Sequence, residues 1–414
     1  MTATDKKLIL LFGFIVTFSW ISQSLMDLAI LILVFLFLYQ NRTTLPDEFK
    51  KLSSIKLVIS AFVGYFVVAV LGALINAHSD YAAANNLGKF VWILQLLFFF
   101  IVASKIAWRP FFQKNTQTII QFFAWATFIP VLAGFNVYLF EGVDIFFVEP
   151  TDYRIIGLLN SATYHGLIGG LIYSFLLPLI VFNWKNLSIN SKIQASVLLT
   201  LVFLSTVLTL TRGVWISVIS ASVVFLYFLK YKKFIITIAV VAIMALVVFW
   251  VPVTSIIRAR SNSDGCRVKI LNTHWRMFKE FPILGGGYRD NLRDIKPYWP
   301  ENNIGPCRHL RDHGNHAHNQ YLNVLATTGL LGFICFTFFH LYFLTLTVRL
   351  IKKYKTDTTM YPVSVSLLCM QVFFMISNLT ETSFEYGKVR TVLLVAWGLV
   401  LALSYKKQPA EING

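Results

Sequence analysis

Charge is scarce in this chain. Only 13% of the 414 residues are Asp, Glu, Lys or Arg against 57% that are hydrophobic, a composition too apolar for a soluble domain. Acidic residues are scarcer still, 19 against 36 Lys and Arg, for a net charge of +17. In a soluble chain that excess would point to nucleic acid; in lipid, the side of the membrane on which the cations sit decides what they mean. The sequence also lacks a P-loop, a Rossmann glycine pattern and an Asp-x-Asp on its predicted outer face, and no histidine pair with carboxylates stands at metal-ligand spacing. Neither nucleotide, cofactor nor metal is called for. Internal repeats, low-complexity tracts and Gly/Ser linkers are absent, which argues for one membrane unit. No small-residue cleavage site separates the first apolar runs, so no removable signal peptide is expected.

What the chain does have is apolar runs of about 17 to 25 residues, each long enough to cross a roughly 30 Å hydrocarbon core as a helix. They predict an all-α polytopic membrane protein with about twelve transmembrane helices, at 8–22, 25–40, 56–76, 89–107, 118–139, 163–183, 193–210, 213–229, 234–253, 319–347, 361–380 and 390–405. The first two are expected to form a hairpin around Ser22, Gln23, Ser24 and Asp27, which keeps those groups out of lipid, the alternative being a single long helix and one span fewer. The organisation expected is nine spans in 1–253, one large outer loop with short helices in 254–318, and three spans with a cytoplasmic tail in 319–414. Lysines cluster in alternate short connections, and the positive-inside rule then puts both termini in the cytoplasm.

The two cations divide unequally between the faces. Predicted cytoplasmic connections carry 17 Lys and 3 Arg, whereas the outer face carries 11 Arg and 5 Lys, eight of those arginines in the large loop. Topology needs positive charge but has no need to choose its chemistry. Guanidinium forks match phosphate bidentately, so a phosphate-containing ligand on the outer face is expected, with lipid phosphates the plainer alternative.

The segment from Gly314 to Gly332 carries the most information. With a helix from Asn319 onward, Leu325, Gly329 and Gly332 fall on the stripe of His318 at 100° per residue. Glycines on one stripe let a neighbouring helix approach, which would turn His318 toward protein. A histidine at a helix start is biased toward its neutral form, which a general base requires; the plainer role is a helix cap. His316 is close enough to contribute. His309 and His313 read as solvated loop residues that could join His316 on zinc, and His78, His274 and His340 read as structural.

His318-Asn319, nine residues, Gly329, two residues and Gly332 together resemble the shared signature of the O-antigen ligases of the WaaL family, the Wzy-type O-antigen polymerases and the bacterial O-oligosaccharyltransferases. Two further elements are similar: Thr209-Leu210-Thr211-Arg212-Gly213, and Gly265-Cys266-Arg267 ahead of Phe281-Pro282-Ile283-Leu284-Gly285-Gly286-Gly287. The resemblance implies a fold of the GT-C type class and metal-independent, inverting glycosyl transfer without a cofactor, in a bacterial inner membrane with the site on the periplasmic face. The implied donor is a glycan on undecaprenyl pyrophosphate and the acceptor a hydroxyl of lipid A-core, with His318 as base, Arg212, Arg267 and, more weakly, Arg154 on the pyrophosphate, and Asn319 and His316 in support. Membrane lipids are partners; nucleic acid is not. The same signature serves a polymerase or a protein O-oligosaccharyltransferase, and a lipid-linked glycan transporter would need a similar donor site. The basic loop favours the ligase.

Residue chemistry runs the same way. Arg212 lies at the lip of a span, where charge is expensive unless it functions or snorkels. Arg267 opens a predicted helix whose stripe of Leu271, Trp275 and Phe278 would lie on the membrane domain, leaving Arg276 and Lys279 to solvent. Cys266 and Cys307 share the outer loop, where an oxidising compartment permits a disulfide if the two backbones come close enough.

Overall fold

The computed structural model describes residues 56–76, 157–159, 161–230, 261–287 and 316–405, together with 19, 30, 32, 39, 112, 116, 117, 119–121, 127, 128, 130–135 and 155. Among them are eight α-helices and no strand. They are α1 (Lys56–Asn76), α2 (Ala162–Asn183), α3 (Ile189–Val207), α4 (Arg212–Phe228), α5 (Ser261–Glu280), α6 (Gln320–Lys353), α7 (Met360–Ser377) and α8 (Gly387–Tyr405). Among the described residues five helices, α2, α3, α6, α7 and α8, are long and apolar enough to cross a membrane, and the apolar helices at Lys56–Gly72 and Arg212–Phe228 are shorter. The described residues are those of an all-α protein of membrane-protein character. The spans predicted at 8–22, 25–40, 89–107 and 234–253 lie wholly or largely outside the described residues, as does half of that at 118–139.

Helix starts follow local chemistry. Ser161 caps α2 by accepting from the Tyr164 N–H, and Ser188 caps α3 by accepting from the Ser191 N–H at 3.3 Å. Asp357 accepts from the Thr359 and Met360 N–H groups at 2.9 and 2.8 Å, which starts α7.

The centre of the bundle is α2, apolar on every side and enclosed by α3, α4, α7 and α8. A Cβ on Gly170 would enter the ring of Phe373 of α7, so a side chain there would prise the two helices apart. Beside it, Phe62 of α1 stacks on Phe339 of α6 at 4.1 Å, and Phe343 stacks on Trp397 of α8 at 4.6 Å. These offset ring pairs fill the seam between α1, α6 and α8.

Two expectations need correction. The buried face of α5 is Cys266, Ile270, Thr273, His274 and Met277, whereas Trp275 is exposed, with Phe278 and Lys279 against its ring. The inward face is therefore rotated from the stripe drawn through Trp275: Cys266, Thr273 and His274 pack inward beside Ile270 and Met277. Arg276 and Lys279 do face solvent.

The second correction concerns the glycines. Gly329 has φ +62° and breaks α6. The Pro282–Gly287 loop fills the gap, where Leu330 N donates to Pro282 O at 2.8 Å, Gly286 N to Ala326 O at 2.9 Å and Gly287 N to Thr327 O at 2.9 Å. A Cβ on Gly329 would meet the Ile283 carbonyl, one on Gly285 the Thr328 amide, and one on Gly332 the Thr328 side chain of its own helix. What these glycines admit is a loop backbone and a helical break. A broken helix inside a bundle must re-satisfy its amides, and the inserted loop does so.

Candidate active site

The break anchors the C-terminal end of α5 beside the first turns of α6, and α6 begins immediately after His318. His318 is not part of the helix. It precedes the N-cap residue Asn319 and has φ +49°, a left-handed conformation that histidine adopts at some cost. Its neighbours hold it there. Asn319 accepts from the Leu322 N–H at 2.9 Å and donates from its amide to the Leu379 carbonyl at 3.1 Å. Ala317 donates its N–H to Asn323 Oδ1 at 3.3 Å, and Gln320 donates its N–H to the Asn378 carbonyl at 2.8 Å. The helix stripe therefore does not aim the imidazole; these clamps do.

They aim it at a residue that sequence reasoning missed. Nδ1 of His318 lies 3.3 Å from Oε2 of Glu381, in the connection between α7 and α8, and Oε1 of the same carboxylate lies 3.5 Å from Nη2 of Arg267 on α5. Glu381 is 2% exposed, His318 20% and Arg267 38%. A buried carboxylate thus joins the candidate base to the candidate pyrophosphate ligand, and the base keeps an edge open to solvent. A carboxylate on Nδ1 fixes the ring and leaves Nε2 to take a proton.

His316 is the second neighbour, its ring 4.8 Å from that of His318 and its Nε2 3.1 Å from the hydroxyl of Tyr386. Burial first, then the charges of His318, His274 and Arg267, push His316 down to about 3, so it is neutral at ordinary pH. Tyr386 is pushed well above the usual phenol range by burial and by Glu381, so its hydroxyl keeps its proton. Its ring lies 4.1 Å from that of Tyr164 at the start of α2. His274, buried on α5 with Nδ1 2.9 Å from the Ile270 carbonyl, is pushed down to about 4, chiefly by burial.

The connection that supplies Glu381 is itself held. Phe384 N donates to Gln320 Oε1 at 3.1 Å, and both Gln320 and Asn323 direct amide nitrogens at Glu385 Oε1, each 3.4 Å away. Arg390, 1% exposed at the start of α8, donates to the Phe384 carbonyl at 2.9 Å and to the Glu385 carbonyl at 3.4 Å. Of the predicted outer arginines, this one is structural in its contacts.

Arg212 is the exposed first residue of α4. The next residue, Gly213, approaches so closely that a Cβ there would collide with Thr380, the neighbour of Glu381. The start of α4 and the Glu381 turn are thereby brought together. Arg154 lies outside the described residues; its neighbour Ile155 donates its N–H to Leu208 O at 3.1 Å, just before Arg212 in sequence. Cys266 is disulfide-bonded and Cys335 and Cys369 are free, while Cys307 lies outside the described residues. His78, His309 and His313 lie outside them too. Among the described residues no group of three or more His, Cys, Asp or Glu is placed to hold a metal ion.

Residues 195–337 match the family model described as O-antigen ligase. The match starts in α3, spans α4 and α5 and ends in α6, so it takes in Arg212, Arg267, His318, Gly329 and Gly332 and stops short of Glu381. No curated protein matches the chain.

Proposed function

We propose, on the premise that the match over residues 195–337 supports membership of the O-antigen ligase and Wzy superfamily, that this protein is an O-antigen ligase. It transfers a glycan from undecaprenyl pyrophosphate to a sugar hydroxyl of lipid A-core on the periplasmic face of the inner membrane, with inversion and without a metal. The observation that carries this reading is the single carboxylate of Glu381 shared by His318 and Arg267. It puts a base and a phosphate-matching fork side by side.

In the reaction, Nε2 of His318 takes the proton of the acceptor hydroxyl as its oxygen attacks the anomeric carbon. Nδ1–H donates to Glu381, which stabilises the imidazolium that forms. The bond from the anomeric carbon to the pyrophosphate oxygen breaks with its electron pair, and Arg267 and Arg212, with Arg154, offset the charge on the departing undecaprenyl pyrophosphate. One displacement gives inversion. His318 then returns its proton to solvent. His316 and Asn319 hold the base and acceptor in register.

The test is joined product from purified protein reconstituted with lipid-linked glycan and lipid A-core, in the presence of a chelator. Wild type forms product and His318→Ala does not, by about 10²- to 10⁴-fold. Equal product from both removes His318 as base. Chain extension of carrier-linked repeats, with lipid A-core left untouched, assigns the protein as a polymerase.

A further inference from the structure

Glu381 faces two partners with separate oxygens, and the two contacts differ in who can reach them. At 3.3 Å to His318 and 3.5 Å to Arg267, both are longer than a settled N–H···O bond of about 2.7 to 3.2 Å, as fits a carboxylate divided between two partners. The carboxylate is enclosed at 2% exposure, so solvent screens its interactions little, while Arg267 at 38% is open to an incoming ligand.

The other titratable groups around this point are His316 beside His318, His274 on α5, Tyr386 at the start of α8 and Tyr164 on α2. His316 and His274 are held neutral and Tyr386 protonated by burial. Among these groups, the charge that His318 feels is therefore set by Glu381 and by whatever partly neutralises it. That is Arg267.

We propose that Arg267 exchanges partners during the reaction: it shares Glu381 with His318 in the empty enzyme, and the donor pyrophosphate draws it away, so that donor binding leaves the carboxylate to His318 and raises the strength of the base. The inference rests on the reading of this site as a pyrophosphate-lipid glycosyltransferase. A guanidinium paired with one carboxylate oxygen at 3.5 Å exchanges it for a doubly forked, more highly charged pyrophosphate. Glu381, released from one partner, then interacts undivided with the imidazole, and the base is strongest only when a leaving group is in place. Substrate order follows: donor first, acceptor second.

The experiment uses inorganic pyrophosphate as probe on the reconstituted full chain. Diethyl pyrocarbonate modifies neutral imidazole, and mass spectrometry of the peptide carrying His318 gives its ionisation midpoint from rates across pH. With calorimetry confirming pyrophosphate bound, the midpoint moves up by about one pH unit or more in the wild type. In Arg267→Gln it is already high without pyrophosphate and does not move on its addition. In Glu381→Gln, an isosteric change chosen to spare the fold, less than half of the wild-type movement remains, from the direct field of the anion. An unchanged or lowered wild-type midpoint with pyrophosphate bound overturns the exchange, and so does absence of pyrophosphate binding. Transfer from lipid-linked glycan is run on the same vesicles. If it persists while the midpoint stays still, the exchange fails and the function stands; if it is missing, the functional reading itself fails.

Discussion

The Leu330 N–H donates to the Pro282 carbonyl at 2.8 Å, a bond between a spanning helix and the loop that follows the Arg267 helix. It exists because Gly329, at φ +62°, has turned the helix out of its own hydrogen-bond ladder. Alanine at 329 costs about 1 to 3 kcal/mol for a positive-φ, extended backbone that glycine almost alone adopts and also drives a Cβ into the Ile283 carbonyl. Gly329→Ala is expected to displace the loop while the helices remain. Circular dichroism would show near-native helicity, while protease cleavage within 281–287 would rise sharply.

The signature residues Gly329 and Gly332 were legible as spacing, but their purpose was not. Helical periodicity assumes an unbroken helix, and from α6 alone nothing shows that a loop some forty residues earlier supplies the missing partners. The apolar helices were legible because apolar length is a direct physical requirement of lipid; seven described helices overlap predicted spans, and five of them are long and apolar enough to cross a membrane. The face of α5 was misread because an exposed Trp275 looks like core, while Cys266, Thr273 and His274 do not. Glu381 escaped because it lies 63 residues from His318 and belongs to no local pattern. One signal was available: a carboxylate in a short connection expected on the outer face, in a chain with only 19 acidic residues.

If Glu381 orients His318 and stabilises its protonated form, Glu381→Gln keeps the shape and loses the charge. Transfer in the reconstituted assay is expected to fall by about 10²-fold or more, with the apparent affinity for acceptor little changed. Glu381→Asp, which shortens the reach to both His318 and Arg267, should also be impaired. Wild-type rates in both variants would reduce Glu381 to packing.

Acid should loosen α5 before the rest of the bundle. His274 and His316 have native values pushed down to about 4 and about 3 from 6.5, first by burial. In the unfolded chain each binds a proton near 6.5, and in the native chain each refuses it until those lower values. Unfolded protein therefore binds more protons between them, so stability is full above about 6.5 and falls as pH drops through that window. Hydrogen exchange in peptides from 261–287 is expected to quicken from about pH 7 to about pH 5 relative to α7. His274→Met, which removes one of the two groups, should lessen that change; an identical pH response in the variant would assign it elsewhere.

Arg390 counts in the sequence among the arginines of the predicted outer face, yet it is 1% exposed and its Nη1 is directed at the Phe384 and Glu385 carbonyls. Those carbonyls close the turn that carries Glu381 and Tyr386, so the arginine acts on the chemistry through backbone position. Hydrogen bonds from a charged donor are each worth about 1.5 to 3 kcal/mol, and an aliphatic replacement also leaves two carbonyls in want of a donor. Arg390→Met is expected to lower the thermal midpoint and the transfer rate together. Arg390→Lys, which keeps the charge but has a shorter reach than the Nη1 group that donates to both carbonyls, should recover stability more than rate. Pyrophosphate binding separates this role from ligation. It should survive in both variants at near wild-type affinity, whereas a direct ligand would lose affinity in the methionine variant and regain part of it with lysine.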